Sequence, residues 1–318
     1  MSETEQTASR VRYDSEVSIR DILRPLWLRK WLIGGATSTA ALVSVIVALL
    51  LPDIYRAQAL LVPNNQERAT GLSALAAQYG GLANLAGINL GSDSANKAAL
   101  GLEVLRSRKF IAEFIGRHDI MVPLMAAKEW DAETGELKID PKIYDVTTRE
   151  WVRDVKPPRT ASPSKQEAYE TFSTNLSVNQ DAQSGLVAIA VDHLSPVVAK
   201  QWVDWLVLDI NAATMRHDVA QAEQAIEYLN EQIASTSLAD LQSVFFSLIE
   251  EQTKTVMLAN ISNEYLFRTI DPAVVPEKRA KPRRKVIVVL STFLGFMGSA
   301  IIVLASHGGS SRRISEQP

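Results

Sequence analysis

Residues 274–305, VVPEKRAKPRRKVIVVLSTFLGFMGSAIIVLA, run a proline-broken basic leader straight into an apolar segment without an ionisable side chain. The apolar part, residues 286–305, has the length of about 20 residues that a helix needs to cross a bilayer. Within it Ser291, Gly295 and Ser299 recur at every fourth position and share one helical face. That face predicts a shallow groove in which a second helix backbone packs closely. Everything upstream is therefore read as tethered to a membrane helix.

A second uncharged apolar run, residues 31–51, lies near the other end and is closed by Pro52. Ala57-Gln58-Ala59 has the small-x-small form of a signal cleavage site, but the run exceeds the roughly 7–15 residues of a signal core, which predicts an uncleaved anchor. Just before it, residues 15–30 mix Val17, Ile19, Ile22, Leu23, Leu26 and Trp27 with Arg20, Arg24, Arg29 and Lys30. This pattern suits an amphipathic juxtamembrane segment, with tryptophan at headgroup level and the arginines toward anionic lipid. Residues 1–14 are polar and without periodicity, a flexible tail, and residues 306–318 form a second tail.

The net charge of −3 conceals an asymmetry: residues 52–275 carry 19 basic and 29 acidic side chains, the rest of the chain 14 and 7. Two spans place both termini on one side and the acidic middle on the other. Arg12, Arg20, Arg24, Arg29 and Lys30 before the first span outnumber Arg56 and Arg68 after it, which predicts a cytoplasmic N-terminus. Lys278, Arg279, Lys281, Arg283, Arg284 and Lys285 favour the opposite orientation. The first span usually dominates, and long loops translocate largely regardless of charge, so residues 52–275 are expected in the periplasm of a bacterial inner-membrane protein with two cytoplasmic tails.

That middle region reads as one α+β domain. Residues 54–62 alternate as a strand; residues 69–92, uncharged and rich in alanine and glycine, carry Leu72, Leu75, Tyr79, Leu82 and Leu85 at helical spacing. A helix capped by Asp93 or Ser94 follows, with Leu102, Leu105, Ile111, Phe114 and Ile115 facing inward. Prolines and charges between 123 and 164 predict loops and a hairpin. Ser164 starts a short helix, and residues 175–179 and 186–191 form a hairpin turning at Ser184-Gly185. Ser195-Pro196 then opens a long helix to about residue 234, for no proline or glycine occurs from 197 to 271. Trp202, Trp205, Leu206 and Ile210 suit packing on a sheet; Val219, Ala222, Ile226, Leu229 and Ile233 make a narrow coiled-coil-like seam for an oligomer contact. At about 58 Å such a helix outruns a compact domain and should project. Residues 235–237 interrupt it, Leu238, Leu241, Phe245 and Leu248 begin a second helix to about 261, and residues 265–270 form a last strand. The first and last strands both adjoin a span and are expected to pair in a small, membrane-proximal mixed sheet.

Catalytic chemistry is not legible. Without cysteine there is no disulfide framework and no thiolate metal site. His118-Asp119 and His217-Asp218 are isolated dipeptides without metal-ligand spacing and read as surface residues. Glu250-Glu251 are neighbours on a helix, pointing roughly 100° apart, and read as a solvated face. The basic leader, beside lipid and short, fits headgroups or a partner better than nucleic acid. No cofactor, metal or nucleic-acid site is expected.

Several stretches taken together resemble the chain length determinant proteins, the Wzz-type polysaccharide co-polymerases: YRAQALLVP after the first span, ALAAQYGGLANLAGINLG, SGLVAIAV before SPVVAKQWVDWLV, and FRTIDPAVVPEKRAKPRR entering the second span. The resemblance covers residues 17–305. The family's membrane-entering motif has three prolines spaced by three, a lysine after the last, and two glycines four apart in the helix. Pro276, Pro282 and Gly295 match it; Arg279 stands at the middle proline, Arg283 at the lysine and Ser291 at the first glycine. The resemblance implies a homo-oligomeric bell with no catalytic residues. It also implies control of the length of a lipid-linked polysaccharide, such as lipopolysaccharide O antigen, made by a separate membrane polymerase. Some relatives add a tyrosine kinase domain; about 13 residues follow 305 here, and no G-x-x-x-x-G-K-[ST] occurs. The alternatives are a two-span receptor with a periplasmic sensing domain and an exopolysaccharide export partner of a separate kinase.

Overall fold

The structure, a computed structural model, describes residues 27–64, 93–235 and 238–312. The tail 1–14, most of the amphipathic segment 15–30 and the helix expected within 69–92 lie outside the described residues. The chain falls into two units, Asp53–Lys281 and, apart from it, Met1–Pro52 with Pro282–Pro318.

Helix α1, Lys30–Leu50, ends because Leu51 precedes Pro52 and is driven out of the helical region to φ −72°, ψ 135°. Strand β1, Tyr55–Pro63, alternates as the sequence predicts, with Ala57, Ala59 and Leu61 buried and Arg56 and Gln58 exposed. The single helix expected after Asp93 is two: α2, Asp93–Arg106, and α3, Arg108–Arg117. Ser107 is the reason. Its extended backbone breaks the run, and its Oγ accepts from the Phe110 N–H at 3.2 Å as an N-cap. The inward stripe survives the break, since Leu102, Leu105, Ile111, Phe114 and Ile115 are all buried.

After the short α4, Met121–Met125, come β2, Ala127–Trp130, paired with β3, Leu137–Ile139, and β4, Tyr144–Asp145, paired with β5, Glu150–Trp151. Helix α5, Lys165–Asn175, opens on a capping box in which Ser164 Oγ accepts from Glu167 N–H and Glu167 Oε2 accepts from Ser164 N–H. Strands β6, Leu176–Gln180, and β7, Val187–His193, form the predicted hairpin, with Gly185 at φ +70° in a turn organised by Asp181. Ser195 Oγ then accepts from Val198 N–H and caps α6, Pro196–Ser235. Helix α7, Ala239–Ile261, strand β8, Phe267–Asp271, and α8, Arg284–Arg312, complete the chain.

The main sheet has the order β6-β7-β1-β8, so the first and last strands pair as expected. Every pairing in it is antiparallel, which corrects the expectation of a mixed sheet. Strands β7 and β8, joined through α6 and α7, run in the same sense, but β1 lies between them and runs opposite to both, so no two neighbours are parallel. One face of the sheet is apolar. Ala57, Ala59 and Leu61 lie beside Val191, Ile189 and Val187 in register, and this surface joins Trp202, Val203, Leu206 and Ile210 of α6 in one core. Each of the valine, leucine and isoleucine side chains among them, fully buried, contributes on the order of 1.5–3 kcal/mol. Helix α6 is 40 residues long, roughly 60 Å, and beyond Asn211 only Ala222 and Leu229 are buried. Its distal half is thus clear of the sheet and packs along α7.

Candidate functional site

The leader before the second apolar helix is fastened to the start of β1. Ile54 N–H donates to Lys281 O at 3.0 Å, and Ala280 N–H donates to Ile54 O at 2.8 Å. Beside them Arg279 lies 3.2 Å from a carboxylate oxygen of Asp53. Two residues further along β1, on the face away from the core, Arg56 stands opposite Asp192 of β7. Arg56 Nε donates to Oδ1 at 2.6 Å and Nη2 to Oδ2 at 2.8 Å, the forked geometry a guanidinium favours. Lys281 Nζ adds a third contact to Oδ2 at 2.8 Å. The Asp192 side chain is only 5% exposed. Burial by itself would push its carboxyl up, but the bonds from Arg56 and Lys281 outweigh it and hold the group below the usual carboxylate range. The Arg56 guanidinium is raised in turn by its bond to Asp192. Sequence reading singled out Pro276, Pro282 and Arg283, of which both prolines are half-buried and Arg283 is exposed. It missed the pairing of Arg56 with Asp192, for which the signals were a charge inside the first strand pattern and a charge directly after the strand expected at 186–191.

Other buried polar groups are structural by their bonding. Asn211, on α6, accepts from the N–H groups of Leu266 and Phe267 at 2.7 and 2.8 Å and donates to Val207 O and Phe267 O. His193 holds the neutral form: Nε2 lies 3.1 Å from Pro123 O, and Nδ1 accepts from Ser195 N–H at 3.0 Å. His118 departs from the surface position expected of it. Its ring stacks on Trp205 at 4.3 Å and its Nε2 lies 3.1 Å from Asp209, which also pairs with Arg117. His217, Glu250 and Glu251 are exposed. Among the described residues no group of His, Asp or Glu side chains is arranged to hold a metal.

The seam residues lie along the distal half of α6, with Ala222 and Leu229 buried and Val219, Ile226 and Ile233 half-buried. Ala222 shares a cavity with Gln252 and Thr255 of α7, so the neighbour this seam meets is α7 of the same chain. Helix α7, the second helix expected from Leu238, Leu241, Phe245 and Leu248, leaves Leu241, Val244 and Leu248 exposed and Phe245 half-buried.

In the other unit, α1 and α8 pack together, and both Lys30–Leu50 and Arg284–Leu304 are long and apolar enough to cross a membrane. Ser299 is buried and Ser291 and Gly295 half-buried on α8. A Cβ at Gly295 would come within 2.6 Å of the Ala40 Cβ, so this approach needs glycine. The complementary face of α1 consists of Ile33, Thr37, Ala40, Ser44 and Ala48, a mostly small-residue stripe that sequence reading did not isolate.

Comparison with protein families matches residues 15–117 to Wzz, chain length determinant protein, and residues 240–307 to GNVR, "G-rich domain on putative tyrosine kinase". Among solved structures, a full-length bacterial polysaccharide co-polymerase aligns at 13% identity over 94% of this chain and 100% of that chain, with a TM-score of 0.37. A fragment of WzzB, a polysaccharide co-polymerase from Salmonella Typhimurium, aligns at 12% identity over 72% of this chain and 99% of that chain, with a TM-score of 0.30. A search of curated protein sequences gave no match. The Wzz match takes in the first apolar helix, β1, α2 and α3, so the N-terminal part of the chain, residues 15–117, is similar to the chain length determinant proteins.

Proposed function

We propose that this protein is a non-catalytic, homo-oligomeric regulator that sets the length of a lipid-linked polysaccharide, such as lipopolysaccharide O antigen, beside a separate membrane polymerase. The observation that carries the reading is the chain length determinant match over residues 15–117. The order of the chain supports it: a helix long enough to span a bilayer precedes the α+β unit, Asp53–Lys281, and another follows it. With the N-terminal basic cluster on the cytoplasmic side, residues 53–281 face the periplasm and both termini the cytoplasm. Contacts between copies are expected along the α6–α7 pair, where α7 leaves Leu241, Val244 and Leu248 uncovered.

Deleting the gene and resolving surface glycan on a gel tests the reading directly. The expected result is loss of a modal band, with chain lengths spreading toward a random distribution. The protein purified in mild detergent should sediment as an oligomer. An unaltered ladder together with a monomeric particle would remove the basis of this reading.

A second reading draws on the G-rich match over residues 240–307: a co-polymerase serving an exported exopolysaccharide together with a separate tyrosine kinase. Loss of exopolysaccharide with an intact O-antigen ladder in the deletion strain would favour it.

A further inference from the structure

We propose that Asp192 is a positioning residue for chain-length control, a buried carboxylate that clamps the leader of the second span to the sheet through Lys281. The inference rests on the proposed function for its glycan readout and on geometry for everything else. Three independent contacts fix the leader at one place. Its backbone bridges Ile54 on both sides, Arg279 meets Asp53, and Lys281 reaches the Oδ2 that Arg56 also holds.

The three contacts differ in kind. The Asp53–Arg279 pair has side chains 33% and 45% exposed, and such pairs contribute little. Asp192 is 5% exposed, and a carboxylate taken out of water must keep its cationic partners. Arg56 satisfies both oxygens and anchors the carboxylate to β1, which leaves Lys281 as the one contact that joins it to the leader. Three residues later α8 begins at Arg284. Asp192 therefore determines where the chain leaves the sheet before it turns into the span. On the proposed function, a glycan-length signal carried through the leader depends on this point.

The test uses the full-length protein in native membranes and the variants Asp192→Asn and Lys281→Met. Asparagine keeps the shape of the side chain and removes the charge; Lys281→Met leaves the Arg56–Asp192 pair intact and guards against a folding failure in the first variant. The leader carries its own probe, because trypsin cleaves after Lys278 and Arg279, and Ala280 is tied down by Ile54. Cleavage there follows local opening, so both variants should be cut about tenfold faster or more than wild type, with the α+β unit still resistant. Both should also shift the modal glycan length while remaining oligomeric. Equal cleavage rates in Lys281→Met and wild type would overturn the clamp. Faster cleavage with an unchanged ladder would overturn the positioning role. If instead the deletion strain itself keeps a normal ladder, the proposed function fails, an outcome distinguishable from failure of the clamp because the cleavage assay reads the clamp alone.

Discussion

At the scale of single residues, Asn211 joins α6 to the start of β8 with all of its side-chain hydrogen-bonding capacity. It is 3% exposed, accepts two backbone N–H groups and donates to two backbone carbonyls. Asn211→Ala strands two buried donors and opens a small void, and should lower stability by about 2–4 kcal/mol. A urea titration of the purified protein measures this; a loss below about 1 kcal/mol would mean that water replaces the side chain. His193 gives a second prediction. Burial lowers its pKa below the ordinary 6.5, outweighing its bonds to Pro123 and Ser195. The unfolded chain therefore takes up a proton near pH 6.5 that the folded chain resists, so stability is fully present above that value and falls as pH drops below it toward the lowered folded value. Thermal melts between about pH 7.5 and 5 should show this decline, and His193→Gln, less stable throughout, should flatten it. Asp192 adds its own dependence only at lower pH, because its pKa lies below 3.8.

Among the elements, the helix pair α1–α8 depends on small residues meeting. Gly295→Ala already forces a shift against Ala40, and Gly295→Leu should separate the helices, weakening their packing by about 1–3 kcal/mol and shifting modal glycan length. Midpoints of thermal unfolding in mild detergent should fall in the order glycine, alanine, leucine. Equal midpoints across the series would show that the two helices do not need this contact. For α6 the periodicity identified the seam positions, which the sequence reading assigned to an oligomer contact. A seam of Val219, Ala222, Ile226, Leu229 and Ile233 specifies a helical neighbour, and α7 of the same chain is that neighbour in the structure.

For the whole molecule, the α+β class, the hairpin, the long helix and the pairing of first with last strand were legible in the sequence. The strand pairing followed from both strands adjoining a span; the other features rest on local rules: alternation of Ala57, Ala59 and Leu61, the Ser164 and Ser195 caps, a turn glycine at 185, and an unbroken helical run after Pro196. The antiparallel sense throughout the sheet was not, because pattern gives a strand its buried face and leaves its direction open. The break at Ser107 escaped notice for a related reason: a serine is tolerated within a helix or caps a new one according to the packing of the helices on either side.

The sequence by itself determined which segments are apolar enough to span a bilayer, where most helices begin and which side of each element turns inward, since all three follow from composition and spacing within one or two turns. Only the tertiary structure decided the partners. Arg56 and Asp192 are 136 residues apart and meet because strand register sets them opposite each other. Ala40 meets Gly295 because two helices cross at that level. Periodicity records that a surface is covered, while the identity of the cover depends on long-range pairing that no local window contains.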